Sequence, residues 1–145
     1  MQYIFVMFPY LFDYHIITFE VIRMQGLPDE KDVLLVKEHI LLNVLAKLLP
    51  FEANQVQQHG FRTGKVYAQV LDDLHKGIIK QLSDNRSALK RAGVKIVKLE
   101  MTKGKAYAEY VCRGYTFDME LLDYYIKAEI EMVLAEKLGI DIEEE

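Results

Sequence analysis

A chain of 145 residues has the size of one ordinary domain, which on folding buries roughly 70% of the surface its unfolded form exposes. With 51% hydrophobic and 28% charged residues it is too apolar for intrinsic disorder, and its one cysteine, Cys112, excludes an internal disulfide or a centre built on several thiolates of one chain. The net charge of −4 is split along the chain: residues 62–113 hold twelve Lys or Arg against five acids, a net of +7, and residues 114–145 hold two against ten, a net of −8.

The first 22 residues, MQYIFVMFPYLFDYHIITFEVI, have no basic start, because Arg23 is the first cation, which argues against a secretory leader. Asp13 and Glu20 argue against a membrane-spanning helix. Their aromatic and β-branched content suits two short strands, about 2–8 and 14–22, turning near Pro9–Asp13. In a second reading, Met24 is the natural start and residues 1–23 are a strand-forming extension.

Pro28-Asp29-Glu30-Lys31-Asp32 reads as a helix start, with acids at the partially positive end. The helix runs to about Leu49, where Pro50 is expected to stop it. Apolar side chains occupy nearly every direction around Val33–Leu49, so this is either the central helix of the domain or a helix partly facing another subunit. Residues 51–64 lack a period and read as a loop.

Helical spacing returns from Lys65 to Arg91, with Val66, Val70, Leu74, Ile78 and Leu82 as its apolar stripe and Gly93 as its stop. Ser83-Asp84-Asn85-Arg86 either lies inside this helix or caps a second, shorter one. A hairpin follows at 94–112 around Lys103-Gly104. A two-residue loop there sets Met101 opposite Ala106, Leu99 opposite Ala108, Val97 opposite Tyr110 and Lys98 opposite Glu109. After Gly114, Thr116 is expected to cap a third helix with Asp118 and Glu120 in its first turn. Its stripe is Met119, Leu122, Ile126, Ile130, Val133 and Leu138, and Gly139 is its end.

The expected fold is therefore α+β, a mainly helical single domain over 1–145 with three helices and a β-hairpin, plus N-terminal strands if residues 1–23 pair. The helical core spans 24–139, and 140–145 form an acidic tail.

Catalytic and metal arrangements are weak. His15, His39, His59 and His75 include no pair at ligand spacing, and Asp72 with His75 supplies only two groups of one helix face. A third functional reading places a weak enzymatic site there. Cys112 has Arg113 beside it but falls on the apolar hairpin face, so it reads as a small buried hydrophobe. Neither a nucleophile elbow nor a phosphate-binding glycine loop occurs. No catalytic residue, metal ligand or cofactor is assigned.

In element order and charge, residues 65–138 resemble winged-helix DNA-binding proteins. That resemblance implies a recognition helix over Asn85–Arg91 and a wing tip at Thr102–Lys105, with nucleic acid held by Arg86, Lys90, Arg91, Lys95, Lys98, Lys103 and Lys105. The stripe running unbroken through 66–82 favours one long helix instead. The leading reading is a small cytoplasmic interaction or regulatory module without enzymatic activity or membrane contact. It self-associates, a dimer being expected, through helical surface on 30–49 or 117–138.

Overall fold

The computed structural model describes residues 27–143. The strands expected at 2–8 and 14–22, and the alternative start at Met24, lie outside the described residues.

Helix α1, Glu30–Gln58, opens with a capping box. The Asp32 N–H donates to Asp29 Oδ1 at 2.8 Å, and the Asp29 N–H donates to Asp32 Oδ2 at 3.0 Å. Two N–H groups that the helix leaves unbonded are thereby satisfied. The helix does not stop at Pro50 but carries it as an interior residue, and much of the expected loop 51–64 is its last two turns. Proline lacks an N–H, so the Ala46 carbonyl loses its usual partner four residues on. His75 fills the vacancy from the neighbouring helix, its Nε2–H donating to the Ala46 carbonyl at 3.1 Å.

Helix α2, Gly64–Ala92, is continuous, as the simpler sequence reading required. It ends on Gly93, whose φ of 73° lies in the left-handed region glycine adopts without strain. No helix-turn-helix break exists in it, so the separate recognition helix implied by the winged-helix resemblance is not formed. The polar stretch at 83–86 has a different cause. Asn85 is buried between the helices; its Nδ2 donates to the Leu35 carbonyl at 3.0 Å and Glu38 Oε2 at 3.1 Å, and its Oδ1 meets His39 Nδ1 at 2.9 Å. The buried face of α2 runs Gly64, Ala68, Ile78, Leu82, Asn85 and Leu89, not through Val66 and Val70.

Three antiparallel strands follow: β1 Val94–Thr102, β2 Lys105–Cys112 and β3 Tyr115–Leu122, in that order across the sheet. The first hairpin has the expected Lys103-Gly104 turn, and Met101, Leu99 and Lys98 oppose Ala106, Ala108 and Glu109. A bulge between Ile96 and Lys98 then shifts the register, so Ile96, not Val97, opposes Tyr110. Val97 is turned out to solvent at 54% exposure, Met101 beside the turn is exposed as well, and only Leu99 of the three is half-buried.

The third strand replaces the expected start of the last helix. Thr116, Asp118 and Glu120 are not a helix cap and first turn; they alternate with Phe117, Met119 and Leu121, whose side chains are half-buried or buried. Period two decides for a strand, and β2 supplies the pairing partner. The connecting turn places Arg113 at φ 49° and Gly114 at φ 88°, the two positive values that suit a tight hairpin turn. Helix α3 begins only at Asp123 and runs to Leu138, with Gly139 as its left-handed cap.

The core lies along one half of the helical hairpin. It joins Val33–Leu49 of α1, Ile78–Leu89 of α2, the inner face of β2 (Ala106, Ala108, Tyr110, Cys112), Met119 and Leu121 of β3, and Ile126 and Ile130 of α3. The all-round apolar helix is therefore the domain's central helix, and α1 leaves Leu34 as an exposed large apolar residue between 30 and 49. Lys37 ties α1 to α3, its ammonium 3.5 Å from Glu129 and 4.9 Å from the Tyr125 ring centroid. Arg113 ties the β2–β3 turn to the start of α1, through Asp32 at 3.1 Å and the Leu27 carbonyl at 2.6 Å.

Candidate functional site

Two surfaces are built in ways the fold does not require. The first is a groove of about 660 Å³ between the C-terminal end of α2 and β1, lined by His39, Arg86, Leu89, Lys90, Gly93 and the strand residues Val94–Leu99. Its position follows from the chain path: α2 ends at Gly93, and β1 starts directly, so the helix's last two turns flank the strand they lead into. β1 is also an edge of the sheet, so one side of its backbone has no strand partner among the described residues.

The groove is both cationic and greasy. Arg86, Lys90, Lys95 and Lys98 supply charge, and Leu89, Val94, Ile96, Val97 and Leu99 supply apolar surface. Four of the seven basic residues singled out for nucleic acid thus converge here; Arg91, Lys103 and Lys105 do not line it. The Lys105 ammonium is 3.1 Å from Glu120, and that of Lys98 is 3.1 Å from Glu100, so two of the seven cations are already partnered.

Behind the groove stands His39, buried, with Nδ1 committed to Asn85 and Nε2 as the ring's remaining polar atom. Burial holds His39 below its ordinary value of 6.5; the bond to Asn85 works the other way, and the Arg86 charge adds to the depression. A neutral ring at neutral pH is the consequence. Neither His39 nor Asn85 stood out in the sequence as a paired group. The cue was the polar break at 83–86, which no surface argument explained.

Cys112 is fully buried, and burial first, with Asp32 nearby, pushes its thiol up to about 11. Its Sγ–H contacts Asp32 Oδ2 at 3.6 Å, and a thiol so held stays protonated and unreactive. Among the described residues, no group of three or more His, Cys, Asp or Glu stands together as a metal site would require.

The second surface is the distal end of the α1–α2 hairpin. Glu129 of α3 lies beside Lys37 of α1, and the Lys137 ammonium reaches to 4.0 Å from where a Cβ on Gly77 of α2 would stand. Because His75 marks the level of Ala46, α3 ends about halfway along the hairpin. Beyond that level, among the described residues, α1 and α2 cover only each other. Ala53, Gly64 and Ala68 are the small buried residues of their contact, while Phe51, Phe61, Val66, Tyr67 and Val70 remain exposed, Val66 at 62%.

Both surfaces lie within residues 27–142, which match the family model described as YhjD protein, and the chain belongs to that family. No curated protein and no solved structure matches it. Among the described residues, no helix is long and apolar enough to cross a membrane.

Proposed function

We propose that this protein is a non-enzymatic interaction module that self-associates through the distal half of its helical hairpin. The supporting observation is the run of exposed apolar side chains at Phe51, Phe61, Val66, Tyr67 and Val70, where neither α3 nor the sheet covers the helices. Scattered apolar residues on a surface need no explanation, but five of them on one two-helix projection are the composition of a contact face. The sequence reading placed the contact on 30–49 or 117–138. The first of these segments is spent on the core, and the uncovered surface is its continuation past Pro50.

Two such hairpins laid together bury these residues as a four-helix arrangement does, with ridges of one pair seated between helices of the other. Light scattering tests this over a wide concentration range. The mass is expected to rise above the 16.9 kDa of one chain, and Phe61→Asp with Val66→Asp is expected to lower it. A wild-type chain that stays at one-chain mass throughout removes the proposal.

A further inference from the structure

The groove beside β1 and the segment that follows α3 are complementary in two independent respects. Ile140-Asp141-Ile142-Glu143, with Glu144 and Glu145 after it, alternates apolar and acidic side chains and then turns wholly acidic. Residues 140–143 carry no helix or strand, and Ile140 and Ile142 are both about half exposed. The groove presents apolar Leu89, Val94, Ile96 and Leu99 among Arg86, Lys90, Lys95 and Lys98, next to a strand edge that has no strand partner among the described residues. A segment of alternating pattern that pairs with such an edge puts its isoleucines on one face and its carboxylates on the other.

We propose that the groove receives residues 140–145 of a second copy of this chain as an added strand at the open edge of β1. Ile140 and Ile142 lie on the apolar floor, and the carboxylates meet Lys90, Lys95 and Arg86.

The occupant comes from a second copy because the chain's own segment is held elsewhere. The Ile140 N–H donates to the Ala135 carbonyl at 2.9 Å, closing the cap of α3. That cap stands at the level of Gly77, and the near rim of the groove at Arg86 is nine residues further along α2, about 14 Å away. Ile142 lies two residues past Ile140 and reaches only about 7 Å from it. The helix also runs toward the hairpin's distal end, away from the groove. In its own chain neither isoleucine arrives at the floor unless the cap opens.

An acidic, apolar peptide suits this groove better than nucleic acid does. The floor is aliphatic and carries no aromatic side chain on which a base would stack, and one of its four cations, Lys98, is already paired with Glu100. The inference is independent of the distal hairpin surface, since neither partner in it involves residues 50–70.

The test is fluorescence anisotropy with a labelled peptide of residues 138–145 and the chain truncated after Gly139. Binding is expected, weakening at least tenfold with Lys90→Glu and Lys95→Glu together, and also with Asp in place of both isoleucines of the peptide. The peptide change leaves the protein untouched, so it separates lost recognition from lost folding. No binding, or binding indifferent to both changes, overturns the proposal. So does displacement of the peptide by a duplex or single-stranded oligonucleotide at low salt, which would assign the groove to nucleic acid. If the untruncated chain refuses the peptide at a concentration where it is a monomer, its own segment fills the groove, and the second-copy assignment is wrong. Peptide binding with no change of mass in Phe61→Asp, Val66→Asp would leave this inference standing and remove the hairpin contact.

Discussion

The two halves of the α1–α2 hairpin are the same pair of helices in different company. The proximal half, from Val33 to Leu49 and from Ile78 to Leu89, is enclosed by the sheet and α3. The distal half buries small residues between the two helices and leaves its large apolar ones in water. Identical secondary structure thus carries different jobs: one half is stabilised by burial, and the other offers unburied surface of the same chemistry. What separates them is the length of α3, which ends about where Pro50 interrupts α1.

The sharpest break of this comparison is a truncation on each side. Leu45→Ala, in the enclosed half, is expected to cost about 3 kcal/mol or more, because a fully buried leucine leaves a cavity as well as losing its transfer energy. Val66→Ala is expected to stay within about 0.5 kcal/mol in dilute solution. Urea denaturation measures both, and similar losses would show that the distal half is as enclosed as the proximal one.

A smaller effect is expected where the sheet is fastened to α1. Arg113→Ala removes the cation from a buried Asp32 carboxylate and is expected to cost about 2 kcal/mol, less than a fully buried pair because the guanidinium is partly in water. Cys112, in contact with the same carboxylate, should remain unmodified by a thiol reagent in the folded wild type. Faster labelling in Arg113→Ala would report the loosened turn.

At the boundary between the halves, His75→Ala orphans the Ala46 carbonyl and is expected to cost about 1 kcal/mol. Pro50→Ala restores an N–H to that carbonyl, so the His75→Ala loss is expected to shrink in its presence. A double-mutant cycle without coupling would refute the role assigned to His75.

The smallest expected effect concerns pH. The folded His39 is held below its ordinary value, so the unfolded chain takes up a proton first as acid is added. Its contribution is complete above about pH 6.5 and declines below that, by no more than about 1.4 kcal/mol per pH unit. Comparing urea midpoints at neutral pH and near pH 5.5, His39→Gln should narrow the difference. An unchanged difference would place the acid sensitivity elsewhere.

Much of the fold, though not this division, was legible in the residues, and the misreadings have physical causes. The α+β class, the long α2 and the Lys103-Gly104 turn followed from periodicity and glycine placement. The stripe at Val66, Val70, Leu74, Ile78 and Leu82 misled because steps of four drift around a helix. Over sixteen residues the drift reaches about 160°, so Val66 and Leu82 face nearly opposite ways. The face that is buried steps by threes and fours from Ile78 through Leu82 and Asn85 to Leu89, and its distal members, Gly64 and Ala68, are glycine and alanine, which a search for large apolar residues passes over.

Pro50 was read as a stop because a sequence shows the missing N–H but not the histidine that compensates for it from another helix. Acids after Thr116 suggested a helix start, while the alternation of Phe117, Met119 and Leu121 held the truer signal. The bulge that turns Val97 outward leaves no mark in composition. The groove needed coordinates, because its basic residues come from two elements whose approach only the α2–β1 junction decides.

Hydrogen exchange, read as a function of protein concentration, bears most directly on the distal hairpin as a contact face. The amides of 51–58 and 64–70 are expected to exchange quickly in dilute solution and to gain protection as concentration rises, while those of 36–45 stay slow throughout. Distal amides whose rates do not change with concentration would contradict the assignment.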